Sequence, residues 1–203
     1  MELNFILILA LILGYLIGSL NFALIISKIF GLSDPKTAGS KNAGATNVLR
    51  LSGKKFGVIV LLGDVIKAVI PMLICRYFLE FDLSEQFYVG FTVFLGHLFP
   101  IYFKFKGGKG VATGLGVALV ISPMLALALL IVFVITLLIT RYVSFASIMA
   151  ALFMPIVSYF YLHGLLNNSA LIVMSMMALL LIVMHHQNIK RICNKTEGRL
   201  WGS

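Results

Sequence analysis

The chain has 203 residues, 61% of them hydrophobic and 11% charged, with a formal net charge of +9. No soluble domain of this length can hide that much apolar surface, so a soluble globule is excluded and no room remains for a soluble partner domain. On a soluble protein such a charge would suggest nucleic acid; here the basic residues lie between apolar runs, so membrane topology explains them and no nucleic-acid partner is expected.

The apolar runs are about 3–27, 56–79, 86–103, 111–139, 146–163 and 169–186. A helical span needs roughly 20 such residues, so the predicted fold is all-α, a polytopic integral membrane protein. The first run starts after Met1-Glu2 with no basic stretch before it, and Lys28 follows it. That order predicts an uncleaved first span with its N-terminus outside.

The loop after the first run carries Lys28, Lys36, Lys41, Arg50, Lys54 and Lys55 and reads as inside. The next turn, with Arg76, Glu80, Asp82 and Glu85, is acidic on balance and reads as outside. Lys104, Lys106 and Lys109 return the chain inside. The run 111–139 has Ser122-Pro123 at its middle, where proline disfavours a continuous helix. One tilted or kinked helix would put Arg141 and the basic tail (Lys190, Arg191, Lys195, Arg199) outside. A hairpin at Pro123 puts every basic cluster inside and leaves only Lys67 and Arg76 elsewhere among the 16 Lys and Arg. The hairpin predicts about seven helices, 111–121 being short, in a single transmembrane domain over 1–203 with a cytoplasmic C-terminus. No repeat of the transporter kind is visible, since broken segments do not recur at matching places in two halves. Cys75 and Cys193 have no metal-type or redox spacing.

Four inner stretches are candidates for chemistry. Gly39 to Arg50 holds Ser40, Asn42, Gly44, Thr46 and Asn47. Glycines there allow N–H groups to face an anion, and Arg50 offers a planar fork suited to phosphate. A solvated basic loop is the plain alternative. In the second, Lys106, Gly107, Gly108, Lys109 and Gly110 lead directly into a helix. A helix N-terminus holds anions well. This is not a P-loop, because neither Ser nor Thr follows Lys109 and no strand precedes it. His97, just upstream, reads as structural.

The third stretch is 141–147, where Ser144 and Ser147 share a face if helical, or where Ser144 is simply an N-cap. The fourth holds His185 and Asn188, again i, i+3, although a histidine there can merely complement the helix dipole. Deep in the second run, Asp64 and Lys67 read as an ion pair that braces packing. The inner stretches combine cations, hydroxyls, amides and glycines, with carboxylates nearly absent. That composition suits a phosphate-bearing small molecule and argues against a paired-carboxylate or di-metal hydrolase; no metal site and no cofactor are expected.

GSKNAGATNVLR at 39–50, GHLFPIYFKFKGGKGVAT at 96–113, RYVSFAS at 141–147 and HHQNIKRICNKTEGRLW at 185–201 together resemble the bacterial acyl-phosphate-dependent glycerol-3-phosphate acyltransferase family (membrane-integral, PlsY type). The likeness covers nearly the whole chain, and the first two motifs are long enough to be specific. It departs at Lys41 and Lys195, where many members have glycine. The resemblance implies a seven-helix core with its motifs at the cytoplasmic face of the bacterial inner membrane. It implies acyl transfer from a fatty acyl phosphate to the 1-hydroxyl of glycerol 3-phosphate, giving lysophosphatidic acid and inorganic phosphate in phospholipid synthesis. An upstream enzyme that forms acyl phosphate would then be a partner.

By the same resemblance, Ser40, Asn42, Arg50, Lys109, Ser147, His185 and Asn188 match substrate-binding positions. Lys109, Ser147, His185 and Asn188 are the catalytic candidates, and His185 is the candidate proton acceptor or orienting group. An acyl-CoA-dependent enzyme is disfavoured, since no histidine has Asp four residues later. A small phosphate or lipid transporter would place its site near the midplane, and a headgroup-binding scaffold would not need these glycine and serine patterns.

Overall fold

A computed structural model describes residues 5–162 and 168–201. Among these residues all regular structure is helical, and polar groups are buried while many large apolar side chains face outward. Ser19, Asn21, Asp64, Lys67, His97, Thr113 and Ser158 are buried, whereas Ile131, Ile135, Leu138 and Ile139 face outward. Backbone groups in hydrocarbon must pair within their own segment, so helices are what such a sequence can form. Among the described residues, four helices are long and apolar enough to cross a membrane, or up to six if each of two bent pairs is one span. The chain divides into two compact units, one up to Val120 and one from Ile121 onward.

In the first unit, the run expected over 3–27 as one span is two helices, α1 (Phe5–Gly18) and α2 (Phe22–Ile29), together apolar and long enough for one bent span. They meet at a 46° bend. The cause is local: the Asn21 side chain accepts from Leu24 N at 3.1 Å and caps α2, and a capped start cannot also be helix interior. Gly14 and Gly18 let α1 lie tightly against α5 (Leu83–Leu98), where a Cβ on Gly18 would overlap the Val93 backbone. Asp82 and Glu85 form a capping box at the start of α5, which explains why two acidic residues begin an apolar helix.

α3 (Ala45–Ser52) and α4 (Lys54–Tyr77) pack together, with Leu49 filling the space over Gly57. α4 is long and apolar enough to cross a membrane by itself, and α6 (Val111–Ile121) packs on it at Gly116, where a Cβ would meet Val65 O.

In the second unit, α7 (Pro123–Thr140) starts at the expected break: Ser122 Oγ accepts from Leu125 N at 3.3 Å and Pro123 takes the first helical position. The stretch 111–139 is therefore not one continuous helix. α8 (Val143–Leu162) follows the left-handed Arg141, and α9 (Asn168–Met184) bends by 54° into α10 (His186–Cys193). The expected segment ends at 3 and 163 lie outside the described residues.

Candidate active site

In the first unit the Gly39–Arg50 motif is a tight loop that runs into α3, and Asn47 shapes it. Its Oδ1 accepts from Ser40 N at 2.9 Å, while Nδ2 donates to Pro35 O, Ala38 O and Asn42 O at 2.9, 3.1 and 3.1 Å. Asn47 is buried, and its amide is committed to holding the loop's own carbonyls. Gly39 is at φ +60, where a Cβ would overlap Asn47 Oδ1. Gly44 is the backbone N-cap of α3, with Thr46 in the first turn and Arg50 exposed in the last. Lys41 has φ 58, so the lysine keeps the left-handed backbone that glycine adopts easily.

The second motif folds back on the end of α5. Gly108 N donates to His97 O at 3.1 Å and Gly107 N to Leu98 O at 3.2 Å. Glycine is required there: a Cβ on Gly107 would overlap His97 O, and one on Gly108 would overlap the His97 ring at Nε2. Gly110, at φ +87, sits against Phe94 and leads into α6, so half-buried Lys109 stands just before that helix's N-terminus.

Lys106 is exposed. Lys36 Nζ lies 3.5 Å from Phe103 O and 5.3 Å from the centre of the Phe103 ring. Partial burial, with Lys106 and Lys104 nearby, pulls its pKa below the ordinary lysine value against the opposing pull of Asp34. The loop is thus a concentrated positive field.

Beneath it, Lys67 Nζ is 2.8 Å from Asp64 Oδ1, as the ion pair read from the sequence requires. His97, which the sequence reading took separately, joins them: its Nδ1 is 2.9 Å from Lys67 Nζ.

In the second unit, Glu197 organises the site. Its Oε1 accepts from Ser144 Oγ and from Asn188 Nδ2, each at 2.7 Å, and its Oε2 accepts from Arg191 Nε at 2.6 Å. Burial pushes this carboxyl up, but the hydrogen bonds from Ser144, Arg191 and Asn188 outweigh burial and hold it below the ordinary carboxylate range. Glu197 is the one carboxylate in the four motifs, in keeping with their near lack of carboxylates, but its role was not read from the sequence. The missed signal was one acidic residue in a tail of Lys190, Arg191, Lys195 and Arg199, where some cation must have a partner. Ser144 is not a helix cap, because α8 begins one residue earlier and its hydroxyl serves Glu197.

Ser147 is buried and donates to Val143 O at 2.9 Å. His185 sits at the bend before α10, buried, with Nδ1 2.8 Å from Leu181 O. A carbonyl only accepts, so Nδ1 carries the proton and Nε2 is the basic nitrogen of the neutral ring. Leu200 N donates to Arg141 O at 2.8 Å, which lays the tail against the start of α8. Lys195, like Lys41, holds a left-handed backbone at φ 56.

Apolar outer faces, buried polar clusters and basic glycine-rich loops beside helix ends define an integral membrane protein built to handle a small anionic ligand. The sequence profile of the family described as glycerol-3-phosphate acyltransferase matches residues 8–195. The chain is 45% identical over 199 residues to the glycerol-3-phosphate acyltransferase of Albidiferax ferrireducens, covering 94% of this chain and 88% of that one. It is 42% identical to that of Syntrophotalea carbinolica, over 94% and 95%. Among solved structures, PlsY (YgiH), an integral membrane glycerol 3-phosphate acyltransferase, in its glycerol 3-phosphate form is similar at TM-score 0.87 and 38% identity, covering 96% of each chain. Its lysophosphatidic acid form is similar at TM-score 0.84 and 37% identity, over 96% and 95%. The chain belongs to the glycerol-3-phosphate acyltransferase family, and it is a membrane acyltransferase.

Proposed function

We propose that the protein transfers a fatty acyl group from an acyl phosphate to the 1-hydroxyl of glycerol 3-phosphate. The products are 1-acyl-glycerol 3-phosphate (lysophosphatidic acid), released into the bilayer, and inorganic phosphate, a step of phospholipid synthesis. The observation that carries this reading is the likeness to PlsY, whose structures are described in a glycerol 3-phosphate form and a lysophosphatidic acid form, the acceptor and product of this reaction.

The acyl-phosphate donor is what the family resemblance implies, and the chemistry fits it. An acyl phosphate is a mixed anhydride with a good leaving group, so the transfer demands no metal and no other cofactor. The acceptor oxygen forms a bond to the acyl carbon while the carbon–oxygen bond to phosphate breaks, its electron pair leaving on phosphate. The hydroxyl proton has two acceptors, His185 Nε2 and the departing phosphate, and the pH–rate test in the Discussion separates them.

Lys109 and Arg50 neutralise phosphate charge, with Lys106 and the backbone of Gly107, Gly108 and Gly110 completing the basic loop. Ser40, Asn42, Gly44 and Thr46 line the first loop, whose shape Asn47 sets; Ser144, Ser147 and Asn188 supply neutral donors and, with Glu197, order the second unit. The chain is read as a single transmembrane domain over 1–203, of about seven helices, with the N-terminus outside. The motifs and C-terminus face the cytoplasm from the bacterial inner membrane, where an acyl-phosphate-forming enzyme supplies the donor.

The test is a donor comparison in lipid without added metal. Palmitoyl phosphate should support acylation of glycerol 3-phosphate and palmitoyl-CoA should not. Efficient use of the thioester with no reaction from the acyl phosphate would overturn the donor assignment.

A further inference from the structure

Lys67 lies buried in α4, and its Nζ has three polar neighbours. Nζ is 2.8 Å from Asp64 Oδ1, 2.7 Å from Leu20 O and 2.9 Å from His97 Nδ1. His97 Nδ1 also lies 3.4 Å from Asp64 Oδ1, so the ring edge is held between the lysine and the carboxylate and its orientation is fixed.

Two of these neighbours, His97 and Leu20, lead to loops. His97 O receives Gly108 N, and His97 Nε2 fills the space that a side chain on Gly108 would take. Leu20 O belongs to the break between α1 and α2. The next residue, Asn21, donates from Nδ2 to Ala43 O at 3.4 Å, inside the first glycine-rich loop. Ala43 O is itself 3.2 Å from where a Cβ on Gly108 would stand, so the two loops meet above this cluster.

A structural brace would need only the Asp64–Lys67 pair within α4. The contacts to Leu20 and His97 reach two further elements, and both end at loops rich in phosphate-type donors. We infer that Lys67, held by Asp64, is a positioning residue that sets the Gly107–Gly108–Lys109 loop through His97 and the Gly39–Asn47 loop through Leu20 and Asn21. The inference rests on the acyl-transfer reading only for its assay.

The experiment separates fold from position. Lys67→Met alone strands the Asp64 carboxylate in the bilayer, where loss of fold would mask loss of position, so the deciding variant is Asp64→Asn with Lys67→Met. Replacing a buried ion pair by neutral groups of like volume is often tolerated, and the double variant should unfold within a few degrees of wild type. If Lys67 positions the loops, kcat/KM still falls about 100-fold, the cost of displacing a catalytic group by about 1 Å. The KM for a phosphate-bearing substrate should rise by about tenfold, a loss of binding and not of folded protein. Lys67→Arg, which keeps the charge and the donors, should recover part of that loss. A stable double variant with wild-type KM and kcat would overturn the inference. Wild-type protein with no acyl transfer would instead overturn the functional reading, a separate outcome.

Discussion

Ser144 Oγ lies 2.7 Å from Glu197 Oε1, joining the first turn of α8 to a residue 53 positions later in the tail. With Asn188 and Arg191 on the same carboxylate, this bond gives the tail a fixed place instead of leaving it a basic fringe.

Glu197→Gln removes the charge that makes these bonds strong. Hydrogen bonds to a charged group contribute about 1.5–3 kcal/mol each, and glutamine keeps part of the geometry, so a net loss of about 2 kcal/mol is expected at neutral pH. The carboxyl's folded pKa is depressed. Its stabilisation is therefore present above the unfolded value of about 4.3 and lost as pH falls through the lower folded value. Thermal midpoints across pH should show wild type above the variant near neutrality and the two converging in acid. Equal midpoints at pH 7 would contradict the account.

Lys41 and Lys195 each occupy left-handed backbone, at φ 58 and φ 56. A non-glycine residue there costs roughly 1–2 kcal/mol, partly offset because glycine loses more entropy on folding. Lys41→Gly and Lys195→Gly should each raise the unfolding midpoint modestly. A lower midpoint in both would mean that the lysine side chains stabilise these turns by more than the backbone strain costs.

Much of the fold was legible in the sequence because bilayer length and charge placement are strong constraints. Ser122-Pro123 announced a break and Asp64 and Lys67 announced a pair, and both are present. The bend at Asn21 was not read, because one polar residue in a long apolar run looks tolerable until its side chain is seen to cap a new helix. Gly14 and Gly18, four apart, carried a close-packing signal that went unused. In the site, the motif residues were visible as donors, but their partners were not. The contacts of Glu197 with Ser144 and of His97 with Lys67 span 53 and 30 residues, and no local period encodes such pairings.

His185→Ala tests who takes the hydroxyl proton. If Nε2 is the acceptor, the rate should fall by about 100-fold or more and the acidic limb of the pH–rate profile should vanish. A variant with a lower rate but an unchanged profile would assign the proton to the departing phosphate and leave His185 an orienting role.

Cys193 is exposed at the end of α10 and Cys75 is buried, so the chain carries its own topology probe. A membrane-impermeant thiol reagent should label Cys193 in inside-out vesicles and not in right-side-out ones. The reverse pattern would put the tail outside and overturn the orientation drawn from the positive charges.

The central claim is met most directly by one assay: purified protein in lipid with glycerol 3-phosphate and palmitoyl phosphate, following inorganic phosphate and lysophosphatidic acid together, with Lys109→Ala alongside. The account predicts equal amounts of the two products from wild type and a loss of both by at least about 100-fold in the variant. Well-folded wild-type protein that gives neither product across several acyl-chain lengths would contradict it.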